Sequence, residues 1–203
     1  MTFGSEQYSW LEKDLVAVNR TVTPWLVVEM HRPFYSECEG VMPRCRAGVM
    51  ERRFSGRRFV LLIVLSVPPL FTDSEMESQW QDLIVGQGLQ NEVEDLFHAY
   101  QVDLVISGHY RSYFRSCDGL YAYDCDNGGP TYVTVGTGGA PLDTPAASLI
   151  PGPASYTAAV DHEHFGVGKA SVFNATVMRW EFVAVGGNVT DEVWLTRDPR
   201  SRA

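Results

Sequence analysis

The chain has 203 residues, of which 45% are apolar and 12% aromatic, so it can bury a sizeable core, most simply in one domain. Its net charge of −9 argues against nucleic-acid backbones and anionic membranes as partners, because a protein that binds phosphate backbones needs a basic face. The longest apolar run, residues 59–65, is too short to cross a bilayer, which needs roughly 20 residues.

The first part of the chain contains a predicted helix and a predicted strand. Apolar residues recur at helical spacing over residues 5–18, where Ser5 is the expected N-cap. Residues 25–30 form the first predicted buried strand, which ends at His31. Residues 36–72 show no sustained period. An insertion containing a strand, an excursion outside the core and translated non-coding sequence all stay open as explanations of that segment.

The middle of the chain repeats the order of helix and strand. Helical character returns over residues 75–84 and again over 90–100, and residues 102–107 form the second predicted buried strand. This strand runs into Gly108, where we expect the glycine to allow a sharp turn, and the next side chain is His109. Two buried strands that follow helices and end in histidines predict an α/β fold.

The last part of the chain is predicted to be rich in strands. Residues 131–135 form a strand that runs into a glycine-rich turn, and residues 141–154 form a loop. Antiparallel strands are expected beyond this loop, with a hairpin turn between the last two, over residues 169–174, 177–185 and 193–196.

The four cysteines fall into two locally spaced pairs. Cys117 and Cys125 bracket a short polar turn, as do Cys38 and Cys45, so each pair could close as a disulfide. Zinc binding is the alternative, although neither pair has the usual tight Cys-x-x-Cys spacing. Disulfides would indicate an oxidising, secretory environment.

N-glycosylation sequons point in the same direction. Three of the asparagines open an Asn-x-Thr sequence, namely Asn19, Asn174 and Asn188. The N-terminus shows no signal peptide, because acidic and basic residues interrupt it from Glu6 onwards. We therefore expect a secretory protein whose N-terminal part is missing from this sequence.

Two strand-end histidines carry most of the functional argument. A single histidine in such a position is more often structural than functional. His31 and His109 occupy comparable positions after two buried strands, and the paired occurrence favours a metal or catalytic role.

Several sequence blocks follow one another in an order that is typical of one family. These blocks read Gln-Tyr-Ser-Trp-Leu-Glu-Lys-Asp-Leu at residues 7–15, Thr-Pro-Trp at 23–25, His-Arg-Pro-Phe-Tyr at 31–35 and Val-Asp-Leu-Val-Ile-Ser-Gly-His-Tyr-Arg-Ser-Tyr-Phe-Arg at 102–115. The likeness continues with Gly-Thr-Gly-Gly, His-Phe-Gly and Asn-Ala-Thr blocks at residues 136–139, 164–166 and 174–176. In these motifs the chain resembles the purple acid phosphatases of the calcineurin-like metallophosphoesterase superfamily.

The resemblance implies a dinuclear metal site that hydrolyses phosphate monoesters at acid pH. The intact family holds Fe(III) beside Zn, Mn or Fe(II), and two cations neutralise the phosphoryl oxygens and supply a metal-bound hydroxide. By position, His31 and His109 would both be ligands of the divalent metal, which neutral imidazole suits. We expect at most a partial divalent site in this chain.

Departures from the family pattern concern the other metal. The family's Gly-His-x-His places a ferric ligand where this chain has Arg111, and arginine cannot ligate a cation. Arg111 is therefore either a surface residue or a direct phosphate ligand. The family's N-terminal ligand blocks and its phosphate-contacting histidines after the first motif have no counterpart here. His162 and His164 share a predicted strand face, which does not require a metal.

We therefore predict the C-terminal portion of a metallophosphoesterase-type four-layer αββα sandwich. Residues 1–35 would form the first part of its domain, residues 36–74 an irregular insertion, and residues 75–203 the remainder with the C-terminal strands. Tyr113 and Arg115 are expected to pack and form ion pairs around the site.

Two functions stay open. The first is an acid phosphatase-like hydrolase whose site is incomplete in this chain, and the second is a non-catalytic, truncated or pseudo-enzymatic domain with weak or no metal binding. In either case we expect the isolated chain to be inactive. The expected substrate is a phosphate monoester, with no nucleic-acid or membrane partner, and a homodimer stays open. The full-length protein would be secreted, vacuolar or lysosomal.

Overall fold

A computed structural model describes residues 3–37, 74–143 and 154–197, with the side chains of residues 74–84 left undescribed. Within these ranges the chain forms α1 (Glu6–Ala17), β1 (Val27–Met30), α2 (Ser74–Ala99), β2 (Leu104–Ser107), β3 (Tyr113–Ser116), β4 (Gly119–Tyr121), β5 (Asp124–Gly129), β6 (Thr131–Val135), β7 (Thr157–Asp161), β8 (Gly166–Val172), β9 (Val177–Ala184) and β10 (Val189–Thr196). The predicted pair Cys38 and Cys45 and nearly all of the predicted insertion lie outside the described residues.

The central element is a five-stranded mixed sheet in the order β1-β2-β6-β3-β7. Strands β1, β2 and β6 are parallel, whereas β3 runs antiparallel to both of its neighbours. Met30 lies opposite Ser107 in the parallel register, so the two predicted strands end side by side. The α/β prediction is confirmed, because the parallel strands bring their carboxyl ends to one edge of the sheet. The prediction that β1 is buried is wrong for the described residues, because β1 is the edge strand of this sheet and Val27 and Glu29 are exposed.

Both helices pack on one face of this sheet. Ser5 caps α1 by accepting a hydrogen bond from the Tyr8 amide at 3.2 Å, as predicted. The second helix is continuous over 26 residues, whereas the sequence predicted two separate helical stretches. A Cβ at Gly86 would lie 2.7 Å from the Pro33 carbonyl oxygen, so this glycine lets the helix approach the chain after β1 closely.

A buried carboxyl group lies within this helix–sheet core. The Tyr35 hydroxyl donates a hydrogen bond to Glu94, and Gln90 donates to the same carboxyl group at 3.1 Å. Burial raises the pKa of Glu94 despite these two hydrogen bonds. The protonated form of Glu94 is therefore favoured by the fold.

The C-terminal strands form a second, three-stranded antiparallel sheet in the order β10-β9-β8. Its inner face packs against the central sheet through the fully buried side chains of Met178, Trp180 and Phe182. The predicted hairpin at residues 186–188 is confirmed, since Gly186 and Gly187 adopt φ angles of 103° and 91°. The described residues thus supply a helix layer and two sheet layers of the expected sandwich.

A largely buried ion pair joins the two sheets. Arg115 of β3 donates two hydrogen bonds to Asp191 of β10, at 2.6 and 2.9 Å, and the Tyr113 hydroxyl donates a third at 2.6 Å. Burial acts to raise the pKa of Asp191, but the hydrogen bonds from Arg115 and Tyr113 outweigh it and hold that pKa below its usual value. Tyr113 and Arg115 do pack and pair as predicted, but toward the C-terminal sheet.

A short hairpin fills the predicted loop between the two remaining cysteines. Strands β4 and β5 pair antiparallel there, which the polar sequence did not indicate. Cys117 and Cys125 are joined by a disulfide, one of the two local pairings that their spacing favoured. None of the helices in the described part of the chain is long and apolar enough to span a membrane.

Candidate metal centre

Two histidines meet at the carboxyl edge of the parallel strands. His31 follows β1 and His109 follows β2, and the Gly108 amide donates to the His31 carbonyl oxygen at 3.2 Å. The Nε2 atom of His31 lies 3.2 Å from the Nδ1 atom of His109, with the rings in a T-shaped arrangement. The sequence pattern therefore predicted a pair that the fold does bring together.

The turn after β2 differs from the prediction in one detail. His109, rather than Gly108, adopts the left-handed conformation, with a φ angle of 66°. This conformation is uncommon for residues other than glycine and recurs at functional sites. Here it turns the His109 ring toward β1, so the strained residue is the candidate ligand itself.

A close approach of two loops fixes this turn. A Cβ at Gly136 would lie 1.7 Å from the Tyr110 carbonyl oxygen, so no other residue type fits at this position without movement. The Gly136 amide also donates to the Ser112 carbonyl oxygen at 3.2 Å. The loop after β6 is therefore packed directly against the segment that carries His109 and Arg111.

Arg111 is held by a carboxylate from that same loop. Its Nε and Nη2 atoms lie 2.8 and 2.7 Å from Oδ1 of Asp143, and its backbone amide donates to Oδ2 at 2.8 Å. The Arg111 side chain is 48% exposed. The guanidinium therefore lies at the surface, two residues after His109 in the chain, with its charge balanced by Asp143.

His162 connects two further loops at this edge. Its Nδ1 atom donates to the Asp143 carbonyl oxygen at 2.8 Å, and its Nε2 atom donates to Glu37 at 2.7 Å. Because both partners are acceptors, the doubly protonated ring satisfies both of them. The hydrogen bond to Glu37 is the main reason that the pKa of His162 is raised above its ordinary value of 6.5.

His164 makes a separate and more local contact. Its Nδ1 atom lies 2.9 Å from Asp161, which also accepts the backbone amides of Glu163 and His164. Burial acts to raise the pKa of Asp161, but these hydrogen bonds outweigh it and lower that pKa overall. His162 and His164 are thus engaged with carboxylates, in keeping with the structural interpretation of both.

The two histidine nitrogens hydrogen-bond to each other in the structure, and their separation can be compared with that of two ligands of one divalent cation. Zn–N bonds of about 2.0–2.1 Å in a tetrahedral site place two ligand nitrogens roughly 3.3 Å apart, close to the observed separation of His31 and His109. No group of three or more His, Cys, Asp or Glu side chains with metal-site geometry occurs among the residues that the structure describes. The position next to the pair holds Arg111, which cannot ligate a cation.

The sequence did not reveal the carboxylates that pair with Arg111 and His162. Asp143 and Glu37 lie in irregular segments with no motif of their own, and each is identified only by the contact that it makes. Arg32 also lies at the pair, with Nη1 3.3 Å from Nε2 of His109. In the sequence, only the position of Arg32 directly after His31 indicated that it would lie near the histidine pair.

Comparisons with known proteins agree with the motifs. A family model described as "Iron/zinc purple acid phosphatase-like protein C" matches residues 129–192. The Fe(3+)-Zn(2+) purple acid phosphatase 12 of Arabidopsis thaliana is 30% identical over 202 residues, which cover 93% of this chain and 34% of the relative. Purple acid phosphatase 23 of the same plant is 31% identical over 133 residues, covering 66% of this chain and 20% of the relative.

The fold gives the same result. A purple acid phosphatase from yellow lupin (Lupinus luteus) seeds superposes with a TM-score of 0.68 at 24% identity, covering 97% of this chain and 29% of that structure. The fold is therefore an α/β fold of the metallophosphoesterase type. Within that class, the chain belongs to the purple acid phosphatases and corresponds to their C-terminal portion. It spans about a fifth to a third of the length of these relatives.

Proposed function

We propose that this chain contributes the divalent-metal half of a phosphomonoesterase site, with His31 and His109 as ligands of that metal. The observation that carries the proposal is the convergence of His31 Nε2 and His109 Nδ1 to 3.2 Å at the strand ends. Membership of a family of acid phosphatases supplies the reaction class. A bound divalent cation would polarise a phosphoryl oxygen and lower the pKa of a bound water.

The chain's own side chains have positioning roles in this proposal. His31 and His109 lie on neighbouring strand ends, so the sheet fixes the distance between them. The guanidinium of Arg111 is 48% exposed and could donate hydrogen bonds to a phosphate monoester while its charge is balanced by Asp143. Asp143 orients that guanidinium through three contacts.

We propose further that the site is incomplete in this chain. The dinuclear centre of the family needs a ferric ligand at the position of Arg111, and the guanidinium there is already paired with Asp143. Residues 1–35 and 75–203 would form one domain, because Tyr8, Phe34 and Val93 share a single hydrophobic core. The whole protein would act on phosphate monoesters in a secreted or vacuolar setting.

A non-catalytic domain is the second candidate. Arg111 favours it, since an arginine at the position of the family's ferric ligand cannot bind a cation. In that case the histidines would bind a divalent ion weakly and no phosphoester would be cleaved. Both candidates leave the isolated chain inactive, so they differ in whether His31 and His109 hold one divalent ion firmly or weakly.

A metal count combined with an activity assay distinguishes these candidates. The purified chain and its Arg111→His variant should be loaded with iron and zinc, analysed by elemental mass spectrometry and assayed with an aryl phosphate at acid pH. We expect at most one divalent ion and no turnover in the wild-type chain. Robust turnover with two metals per chain would contradict the incomplete site. Turnover that appears only in Arg111→His would identify Arg111 as the lesion.

A further inference from the structure

An exposed aromatic pair lies on the outer face of the C-terminal sheet. Phe173 and Trp194 stack with ring centroids 5.3 Å apart and an interplanar angle of 27°, and they are 55% and 48% exposed. The guanidinium carbon of Arg179 lies 5.3 Å from the Trp194 ring centroid and 5.9 Å from that of Phe173. Two large rings and a cation thus form one surface platform that the proposed phosphatase site does not use.

The residue that follows this platform in the chain is a sequon asparagine. Asn174 is exposed, and its Oδ1 atom accepts hydrogen bonds from the Thr176 amide and hydroxyl at 2.8 and 2.9 Å. The Trp25 indole donates to the Asn174 carbonyl oxygen at 2.9 Å, which fixes the backbone. The turn is therefore ordered by its own side chains, and the Asn174 amide group lies at the surface.

We propose that the Phe173–Trp194 platform packs against the first N-acetylglucosamine of a glycan attached to Asn174. One face of a pyranose ring presents C–H groups, whose partial positive charge suits the electron-rich face of an aromatic ring. The sugar would also cover apolar ring surface that is otherwise exposed to water. The proposal does not rest on the phosphatase assignment, because the platform and the sequon belong to the outer sheet and its hairpin.

The chain provides its own comparison site. Asn19 adopts the same local turn, with Oδ1 accepting from the Thr21 amide at 3.0 Å and from the Thr21 hydroxyl at 2.7 Å. Its sequence neighbours are Val18 and Arg20 rather than an aromatic residue. A glycan at Asn19 would therefore share the sequon geometry without an adjacent aromatic residue, so the two sites separate attachment from packing.

The test compares thermal stability with and without the first sugar. The full chain, fused to a cleavable secretion signal, should be produced in yeast in two backgrounds. Asn19→Gln with Asn188→Gln leaves Asn174 as the sequon to modify, and Asn174→Gln with Asn188→Gln leaves Asn19, where the first sugar should give no stabilisation. Peptide mass spectrometry gives the occupancy of Asn174. Endoglycosidase H leaves one N-acetylglucosamine on the asparagine. PNGase F, applied to a separate sample, releases the whole glycan and leaves aspartate at position 174, so N174Q provides the sugar-free reference without that added charge.

We expect Asn174 to be occupied and the one-sugar form to melt roughly 2–4 °C above the sugar-free forms, the shift that about 1 kcal/mol produces in a protein of this size. Phe173→Ala and Trp194→Ala should abolish the difference. Trp10→Ala, which removes another exposed tryptophan, should preserve it. An unoccupied Asn174, or an occupied one with equal melting temperatures, would overturn the proposal.

Discussion

Two Arg–Asp ion pairs, whose arginines lie four residues apart in sequence, occupy two regions that differ in burial. Arg111 pairs with Asp143 at the mouth of the candidate metal centre, where the two side chains are 48% and 27% exposed. Arg115 pairs with Asp191 between the two sheets, where they are 11% and 12% exposed. Both pairs have contacts below 3 Å, so burial rather than distance distinguishes them.

Burial decides what each pair contributes. An exposed pair gains little, because water screens the charges and the side chains lose entropy, whereas loss of one partner from a buried pair leaves an uncompensated charge. The mouth of the site can therefore change its residues without loss of the fold. This explains how position 111 carries an arginine where the family pattern has a metal ligand.

The largest expected effect follows from breaking the buried pair. Asp191→Asn removes the negative charge that Arg115 faces and weakens the acceptor of the Tyr113 hydroxyl. We expect a loss of about 3–5 kcal/mol in the free energy of unfolding, measured by urea denaturation at pH 7. Because the pKa of Asp191 is lowered in the fold, wild-type stability from this group is present above its ordinary pKa of 3.8 and is lost as the pH falls through the lowered value.

The neighbouring residue supplies a matched control. Glu192 is 42% exposed in its side chain and lies 3.6 Å from Arg179, so Glu192→Gln should change the free energy of unfolding by less than about 1 kcal/mol. If the two variants lost similar amounts of stability, the contrast between the buried and exposed regions would be wrong.

The next effect concerns zinc at the mouth of the site. His31→Ala or His109→Ala each removes one of the two converging nitrogens, so we expect either change to lower zinc affinity by at least roughly tenfold in calorimetric titration. His164→Ala, which removes a histidine paired with Asp161, should leave the affinity unchanged. Equal zinc binding by all three variants would show that the cation binds elsewhere.

The structural features that could be predicted from the sequence are those that apolar runs or turn residues indicate locally. Strands can be read from apolar runs, and because parallel strands end at one edge, the meeting of His31 and His109 followed from their positions after β1 and β2. The edge position of β1 leaves it partly exposed, and the apolar run did not reveal this. The hairpin at Gly186 and Gly187 followed from turn chemistry.

The remainder depends on tertiary contacts that leave no local pattern. Asp143 and Glu37 are single carboxylates in irregular segments, and their roles come from residues distant in sequence. The partner of Arg115 lies 76 residues away, so pairing around the site and pairing with β10 were indistinguishable beforehand. The continuity of α2 was also hidden, because Gly86 lowers helix propensity locally while permitting contact with Pro33.

A smaller effect is expected from the half-buried pair between His162 and Glu37. The pKa of His162 is raised, so its contribution to stability is fully present below the ordinary value of 6.5 and is lost as the pH rises through the raised value. His162→Gln should lower the free energy of unfolding by about 1 kcal/mol near pH 6 and by less above the raised pKa. Urea denaturation between pH 5 and about pH 9 measures the difference.

Glu37→Gln should reproduce the loss seen with His162→Gln, and a variant that kept the wild-type pH profile would contradict the role of this pair. Some preference for acid pH should persist in both variants. Glu94 is a separate buried carboxyl group with a raised pKa, so its contribution also diminishes as the pH rises. Both groups favour the fold under acidic conditions.

The smallest effect on stability, and the most informative one, is expected at the exposed pair. Arg111→Ala leaves Asp143 partly exposed and still able to accept the residue 111 amide, so the free energy of unfolding should change by no more than about 1 kcal/mol. The same change removes a positive charge two residues after His109 and leaves the Asp143 carboxylate unbalanced, so zinc affinity should rise. A large loss of stability would show that Arg111 had become a structural residue like Arg115. Wild-type stability together with tighter zinc binding would show that His31 and His109 bind zinc and that Arg111 weakens this binding.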